Sequence, residues 1–297
     1  MSLVTAAGRI GVSLADSRDY CAALTRREAR NFYYGLKLLP TPKRNAMFAL
    51  YAYMRLVDDI ADGLDGHTLP QRLDSLDAWN DATQSALSAG NAPDSHSLWP
   101  AFIEMVKNHG VPHHVFRDVI AGQRHDLESP IIQTFDELRE YCYRVAGVVG
   151  IASIYIWGFD GGQKTESLAI DRGIAFQLTN ILRDLREDAA LGRVYIPRTE
   201  LHAAGIDEES LRSGHANGEF GRMMRDQINR AQDFYHRSAP LESLISADCR
   251  PTLTAMTQIY HGILEKISDA PDRVLHQRVS LSTMAKFRIA WRATRSR

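Results

Sequence analysis

The sequence predicts an all-α fold, and three observations predict it. Apolar residues recur at three- and four-residue spacing along most of the chain. No stretch alternates strictly between apolar and polar residues inside turn boundaries, so no strand is expected. The breaks between the periodic runs are short and carry Pro or Gly. The 297 residues are 44% hydrophobic and 24% charged, ordinary for a globular chain with a sizeable core. Neither a fixed-period repeat nor a low-complexity linker divides them. One helical domain over residues 1–297 is therefore expected, with 1–15 flexible.

The first helix is expected over residues 17–39 and stops at Pro40-Thr41-Pro42. Thr41 suits the N-cap and Pro42 the first position of a second helix over 43–63. Met47, Leu50, Tyr51, Met54 and Val57 form its apolar stripe. Helices follow over 69–89, 97–108 and 113–127, with a surface loop over 90–95 and Gly110 as a C-cap. Thr134-Phe135-Asp136-Glu137 has the spacing of a capping box. It opens a long helix to residue 157, and Gly161-Gly162 ends that run. Another helix is expected over 165–190, then Gly192 and an extended piece over 193–197. The last helices are expected over 218–238, 251–268 and 282–295.

Composition excludes several function classes. Basic and acidic residues number 35 and 36, a net charge of −1, so no nucleic-acid partner is expected. Cys21, Cys142 and Cys249 are far apart, odd in number and free of any C-x-x-C pair. That points to a reducing compartment with buried thiols, and a cytoplasmic location is expected. The N-terminus has no apolar run behind a basic start, so no signal peptide is expected. The longest apolar stretch, over 145–159, falls short of the roughly 20 residues of a membrane span, and Gly147, Gly150 and Ser153 interrupt it. His113, His114 and His125 show no ligand spacing and fit surface or core positions.

Two carboxylate motifs carry the chemistry. Asp58 and Asp62 stand four residues apart on a helix, about 6 Å along one face, where like charges repel. Asn180, Asp184 and Asp188 repeat that step on a later helix, and Gln177 extends the stripe by three residues. One such pair is ordinarily a solvated face. Two of them, each set among apolar residues such as Tyr51, Val57, Phe176 and Ile181, call for a cation. Hard oxygen ligands suit Mg²⁺, which bridges readily to phosphates. Arg55 and Arg183 lie inside the motifs, as guanidinium forks for phosphate oxygens or as salt bridges to the same aspartates.

These residues resemble the squalene/phytoene synthase family, the head-to-head isoprenyl diphosphate synthases. The likeness rests on Phe32-Tyr33-Tyr34 with Leu38-Leu39-Pro40, on Ala49 through Asp62, on Tyr141 through Gly150, and on Gln177 through Asp188 to Gly192-Arg193-Val194-Tyr195-Ile196-Pro197. It covers most of the chain, from Asn31 to about Arg288. The resemblance implies a single isoprenoid-synthase bundle with a central apolar cavity. It implies several Mg²⁺ ions held by Asp58, Asp62, Asn180, Asp184 and Asp188. It places Arg55, Arg183 and Arg278 at diphosphate-contacting positions, and Phe32, Tyr51, Tyr141, Val145, Gly150, Gln177 and Tyr195 at cavity and active-site positions. Arg193-Val194-Tyr195 resembles a flap over the site. Many members carry Ser where this chain has Asn31, whose amide would replace the hydroxyl.

The implied reaction joins two prenyl diphosphates, 1′ to 2–3, through an allylic cation and a cyclopropylcarbinyl diphosphate. Phe32-Tyr33-Tyr34-Gly35-Leu36 and Asp58-Asp59-Ile60-Ala61-Asp62 look more like bacterial presqualene diphosphate and squalene-type members, so farnesyl diphosphate is the expected substrate. Two geranylgeranyl diphosphates giving phytoene is the alternative. NADPH is not favoured; no G-x-G-x-x-G fingerprint is present, although reducing members do not use that motif. Peripheral contact with a membrane, for release of a greasy product, is compatible with a chain that encodes no anchor. Oligomeric state stays open. A terpene cyclase would share the first motif but not the Asn180/Asp184/Asp188 stripe. A di-iron bundle would need Glu-x-x-His, which the sequence lacks. A non-catalytic helical interaction module would leave the paired carboxylates unexplained.

Overall fold

The computed structural model describes residues 11–29, 32–63, 66–94, 96–128, 131–215 and 218–295. Among them the chain is helical, and two isolated bridges, Ile131 with Val194 and Phe159 with Ile245, stand where a strand would otherwise be sought. Helix α1 (Leu14–Glu28) begins where Ser13 Oγ accepts the Asp16 amide at 3.1 Å. Of the tail expected to be flexible, residues 1–10 lie outside the described residues, and Leu14 and Ala15 are already helical.

The helix expected over 17–39 is two helices, a correction to the sequence reading. α1 stops at Glu28, and α2 (Phe32–Leu36) follows as a separate short element. Tertiary packing overrides local periodicity here. Gly35 presses against Met256 so closely that a Cβ would lie 2.8 Å from Met256 Cγ. Helix α3 (Thr41–Asp62) has Pro40 at its N-cap, so Thr41 sits inside the helix instead of capping it. Gly63, at φ 61°, ends it in the left-handed conformation.

α4 (Leu69–Ala89), α5 (Trp99–His109) and α6 (His114–Glu128) cover the outer side of α3. An aromatic cluster binds them: Tyr53 stacks on Phe102 at 4.7 Å, Trp79 on Trp99 at 4.9 Å, and Phe102 meets Phe116 edge-on at 4.8 Å. The long helix follows as α7 (Phe135–Cys142), a π-helical segment over Tyr143–Gly147, and α8 (Val148–Trp157). Thr134 accepts the Glu137 amide as expected, but Glu137 accepts the amide of Gln133 at 2.6 Å, one residue before the cap.

α9 (Gln163–Ala190) lies antiparallel to α8 at a separation that glycine alone permits. A Cβ on Gly150 would sit 2.3 Å from Ala169 O, and one on Gly173 would sit 2.4 Å from Ala146 O. After the extended piece over 193–197 come α10 (Arg198–Ala203), α11 (Glu208–Ser213), α12 (Phe220–Ser238), α13 (Leu241–Leu244) and α14 (Arg250–Asp269). A 3₁₀ turn over Pro271–Leu275 and α15 (Thr283–Ala293) complete the chain. α10, α11 and α13, absent from the helices expected from sequence, are 6, 6 and 4 residues long, too short for a helical period to register. α9 is central, packing against α8, α12 and α14 around one contiguous core that also holds all three thiols. No helix among the described residues is long and apolar enough to cross a membrane.

Candidate active site

A cavity of about 700 Å³ lies among α2, α3, α8, α9 and α14. Its lining on α3 runs from Met47 to Asp58, about 16 Å of helix rise, and on α9 from Ala169 to Asp184, about 22 Å. The helices are aligned so that one end is mostly apolar, with Arg172 there ion-paired to Glu242 at 2.7 Å, and the other is polar. Lys43 Nζ, in the first turn of α3, donates to Trp157 O at 2.6 Å, so Met47 and Trp157 share the deep end. Asp58, Asn180 and Asp184 then form the rim. The periodicity that builds α3 thus serves two purposes: Val57 is fully buried in the core, while Tyr51 and Asp58 face the cavity.

At the rim, Asp58 Oδ1 accepts a hydrogen bond from Gln123 Nε2 of α6 at 2.6 Å. Burial, followed by repulsion from Asp62, pushes its carboxyl up to about 7. On α9, burial and then Asp184 push Asp188 up to about 7 as well. Arg183 Nε and Nη2 donate to the two oxygens of Asp184 at 2.8 and 2.5 Å, and Arg278 Nε lies 2.9 Å from Asp184 Oδ1. Asn180 Nδ2 donates to Gln177 Oε1 at 3.3 Å, and Asn180 Oδ1 is buried with no hydrogen-bond partner.

The two acidic ridges meet on Arg193. Its Nη1 donates to Asp62 Oδ1 at 2.9 Å, and its Nε lies 3.9 Å from Asp126 Oδ2 of α6. Its positive charge also favours ionised Asp58 and Asp188. Carboxylates from α3, α6 and α9 therefore converge on one guanidinium, carried by the segment expected to form a flap. Among the described residues, no group of three Asp, Glu, His or Cys side chains is already closed into a metal cage.

Phe32, Tyr51, Val145, Gly150 and Gln177 line the cavity, and so do Arg55, Arg183 and Arg278, the expected diphosphate contacts. Arg55 Nη2 lies 2.6 Å from Asp59 Oδ1, while its buried Nε has no hydrogen-bond partner. Tyr141 and Tyr195 are placed differently. Their rings stack at 4.9 Å, both are buried, and Tyr195 OH donates to Asp126 Oδ2 at 3.0 Å. They buttress the rim from behind instead of lining the cavity. Asn31 lies outside the described residues.

The model of the Squalene/phytoene synthase family matches residues 25–285. This chain belongs to the squalene/phytoene synthase family. A phytoene synthase of Arthrospira platensis is 35% identical over 94% of this chain and 92% of its own length. A 15-cis-phytoene synthase of Synechococcus elongatus is 33% identical over 92% of this chain and 91% of its own. Among solved structures, a dehydrosqualene synthase with bound ligand superposes with a TM-score of 0.86 at 25% identity, covering 95% of this chain and 97% of that one. A squalene synthase of Alicyclobacillus acidocaldarius gives 0.78 at 27% identity, covering 88% and 96%. The fold is thus the all-α isoprenoid-synthase bundle, and the reaction class is that of a squalene/phytoene synthase-type prenyltransferase.

Three residues of this squalene/phytoene synthase-family site escaped the sequence reading. Gln123 and Asp126 lie in Gln123-Arg124-His125-Asp126, a polar run indistinguishable from a solvated helix face until its partners Asp58, Arg193 and Tyr195 are located. Tyr260 of α14 closes a ring cluster on the cavity wall, 5.1 Å from Phe32 and 4.7 Å from Phe176. Its only sequence signal was its place in an apolar helical stripe.

Proposed function

We propose that this chain condenses two molecules of farnesyl diphosphate head-to-head, 1′ to 2–3, in the presence of Mg²⁺. The product is presqualene diphosphate or, onward from it by loss of the second diphosphate, a C30 hydrocarbon: dehydrosqualene by loss of a proton, or squalene where NADPH delivers a hydride. One observation carries the reading: a largely apolar shaft with a polar rim, where carboxylates of α3, α6 and α9 gather with Arg55, Arg183, Arg193 and Arg278. Diphosphates fit the rim and prenyl chains fit the shaft.

The donor set at the rim fits Mg²⁺. Asn180 Oδ1 is a buried oxygen without a partner, and Asp58 and Asp188 are both held near 7 by burial and by neighbouring carboxylates. Asp58 and Asp62 on α3, with Asn180, Asp184 and Asp188 on α9, would hold the ions. Bound Mg²⁺ supplies charge neutralisation for the departing diphosphate. The chain itself contributes the rest. Arg55 Nε, Arg183 and Arg278 present guanidinium donors to diphosphate oxygens. The allylic C–O bond breaks with its electron pair leaving on diphosphate. The 2,3 double bond of the second molecule attacks the cation, and proton loss closes the cyclopropane.

Phe32, Phe176 and Tyr260 line the shaft together, where their ring faces stabilise positive charge and exclude water. Burial lifts the Tyr51 phenol above its ordinary range, so it stays protonated. In this scheme the released diphosphate is the proton acceptor. NADPH is not favoured. The three buried, unpaired thiols suit the reducing cytoplasm.

The C15 choice is supported by Phe32-Tyr33-Tyr34-Gly35-Leu36 and Asp58-Asp59-Ile60-Ala61-Asp62, and by the superposition on a dehydrosqualene synthase. A second reading has equal support: the relatives at 35% and 33% identity are phytoene synthases, which favours two geranylgeranyl diphosphates. The test supplies each diphosphate separately with Mg²⁺, with and without NADPH, and identifies products by mass. Presqualene diphosphate or a C30 product from the C15 substrate is expected. Predominant C40 product selects the phytoene reading, and no condensation from either substrate overturns both.

A further inference from the structure

We infer that the outward face of α15 docks this enzyme on an anionic lipid bilayer. The proposal goes beyond the reaction assigned above, because it concerns a surface outside the site. Seven large apolar side chains are exposed among the described residues, and three of them fall on this one helix of 11 residues. Met284 is 81% exposed, Phe287 63% and Trp291 47%. They are spaced three and four residues apart, so they form a single stripe. The opposite face is spoken for: Ala290 and Ala293 are buried, and Ile289 packs on the core. α15 is thus a two-faced helix, apolar inward and apolar outward, whose flanks carry the charge.

That charge has one sign. Arg288, Arg292 and Arg295 follow one another on and just after α15, and the sequence has no Asp or Glu after Asp272. In a chain of net charge −1, this segment stands against an acidic remainder. Arg295 lies 3.7 Å from the Trp291 ring centre, its cation held at the edge of the stripe. Aromatic and Met side chains flanked by Lys and Arg are the composition of an interfacial helix, which sinks its apolar face to the headgroup boundary and draws on anionic lipid for the remainder.

Location gives the surface a purpose. α15 packs against α14 and α2, both of which wall the cavity. Arg278 and Ser280 just before it, and Lys286 on it, belong to the cavity lining. The stripe is carried by a helix that shares the lining of the cavity which, on the function proposed above, takes up prenyl chains and releases a hydrocarbon. Docking there spares both a passage through water.

The test uses the full chain, without substrate, so that it succeeds or fails independently of the reaction assigned above. Co-sedimentation is measured with vesicles of phosphatidylcholine alone and of phosphatidylcholine with phosphatidylglycerol. The wild-type chain is expected to partition about tenfold more strongly onto the anionic vesicles, less so at high salt. Met284→Ser/Phe287→Ser/Trp291→Ser is expected to lose about tenfold in partition, with an unchanged circular-dichroism melt. If that variant does not fold, Arg288→Glu/Arg295→Glu decides, because it changes exposed charges alone and is expected to remove the preference for anionic lipid. Equal binding to both vesicle types overturns the proposal, as does binding that survives the substitutions. A wild-type dimer that Phe287→Ser converts to monomer, without vesicle binding, overturns it in favour of a second copy of this chain.

Discussion

Gln123 holds the one rim carboxylate that faces the cavity from α3. Its amide donates to Asp58 Oδ1 at 2.6 Å, so it fixes the orientation of a group that burial disfavours as an anion. Gln123→Leu leaves Asp58 without that donor and is expected to lower turnover about 10- to 100-fold, chiefly through weaker Mg²⁺ dependence. A Mg²⁺ titration of initial rates checks it, and an unchanged half-saturation concentration would show that Gln123 has no part in the rim. Arg193 acts in the opposite electrostatic sense. It is the counter-charge to Asp62 and a neighbour of Asp126. Arg193→Ala is expected to lower the melting temperature in EDTA and to recover part of the loss when Mg²⁺ is added, since one cation replaces another. A loss unaffected by Mg²⁺ would separate Arg193 from the metal ridges.

Helix α9 shows how an element couples packing to the site. Its glycine at 173 lets Ala146 O, in the π-helical segment before α8, approach to where a Cβ would be 2.4 Å away, and both residues line the cavity. Gly173→Ala is expected to destabilise by about 1–3 kcal/mol or more, because the clash is with backbone that cannot rotate aside. Urea unfolding reads it directly, and an unchanged midpoint would mean that α8 and α9 slide freely. The same elements show what a sequence makes legible. The ridges on α3 and α9 could be read because oxygen-bearing residues repeat at the helical period inside apolar helices. The break between α1 and α2 could not, since no Pro or Gly stands between residue 17 and Gly35 to mark it. Gln123, Asp126 and Tyr260 were hidden because each takes its role from a partner on another helix.

At the scale of the whole molecule, stability and site pull in different directions with pH. His96 packs edge-on against Tyr20 and Trp79, and its Nδ1 accepts the Leu98 amide at 3.2 Å. Burial holds its pKa below the ordinary value, while the nearby Asp94 opposes that shift. With the folded pKa depressed, the unfolded chain binds the extra proton first, so this contribution to stability is lost as pH falls through about 6.5. Asp58 and Asp188, raised to about 7, act in the opposite sense over the same range. Comparison with His96→Gln isolates the imidazole: the variant's melting temperature is expected to fall less between about pH 7.5 and about pH 5.5 than the wild type's. Parallel profiles would remove His96 from the account.

On the proposed function, acidic side chains of α3 and α9 act together on a metal–diphosphate group at the mouth of one cavity. Calorimetric titration of inorganic diphosphate into the wild-type chain, Asp58→Asn and Asp184→Asn, each with Mg²⁺ and with EDTA, tests it most directly. Binding by the wild-type chain with Mg²⁺ alone, and weakening by about tenfold or more in both folded variants, is the predicted result. Diphosphate binding that ignores Mg²⁺, or that survives both substitutions, would contradict it.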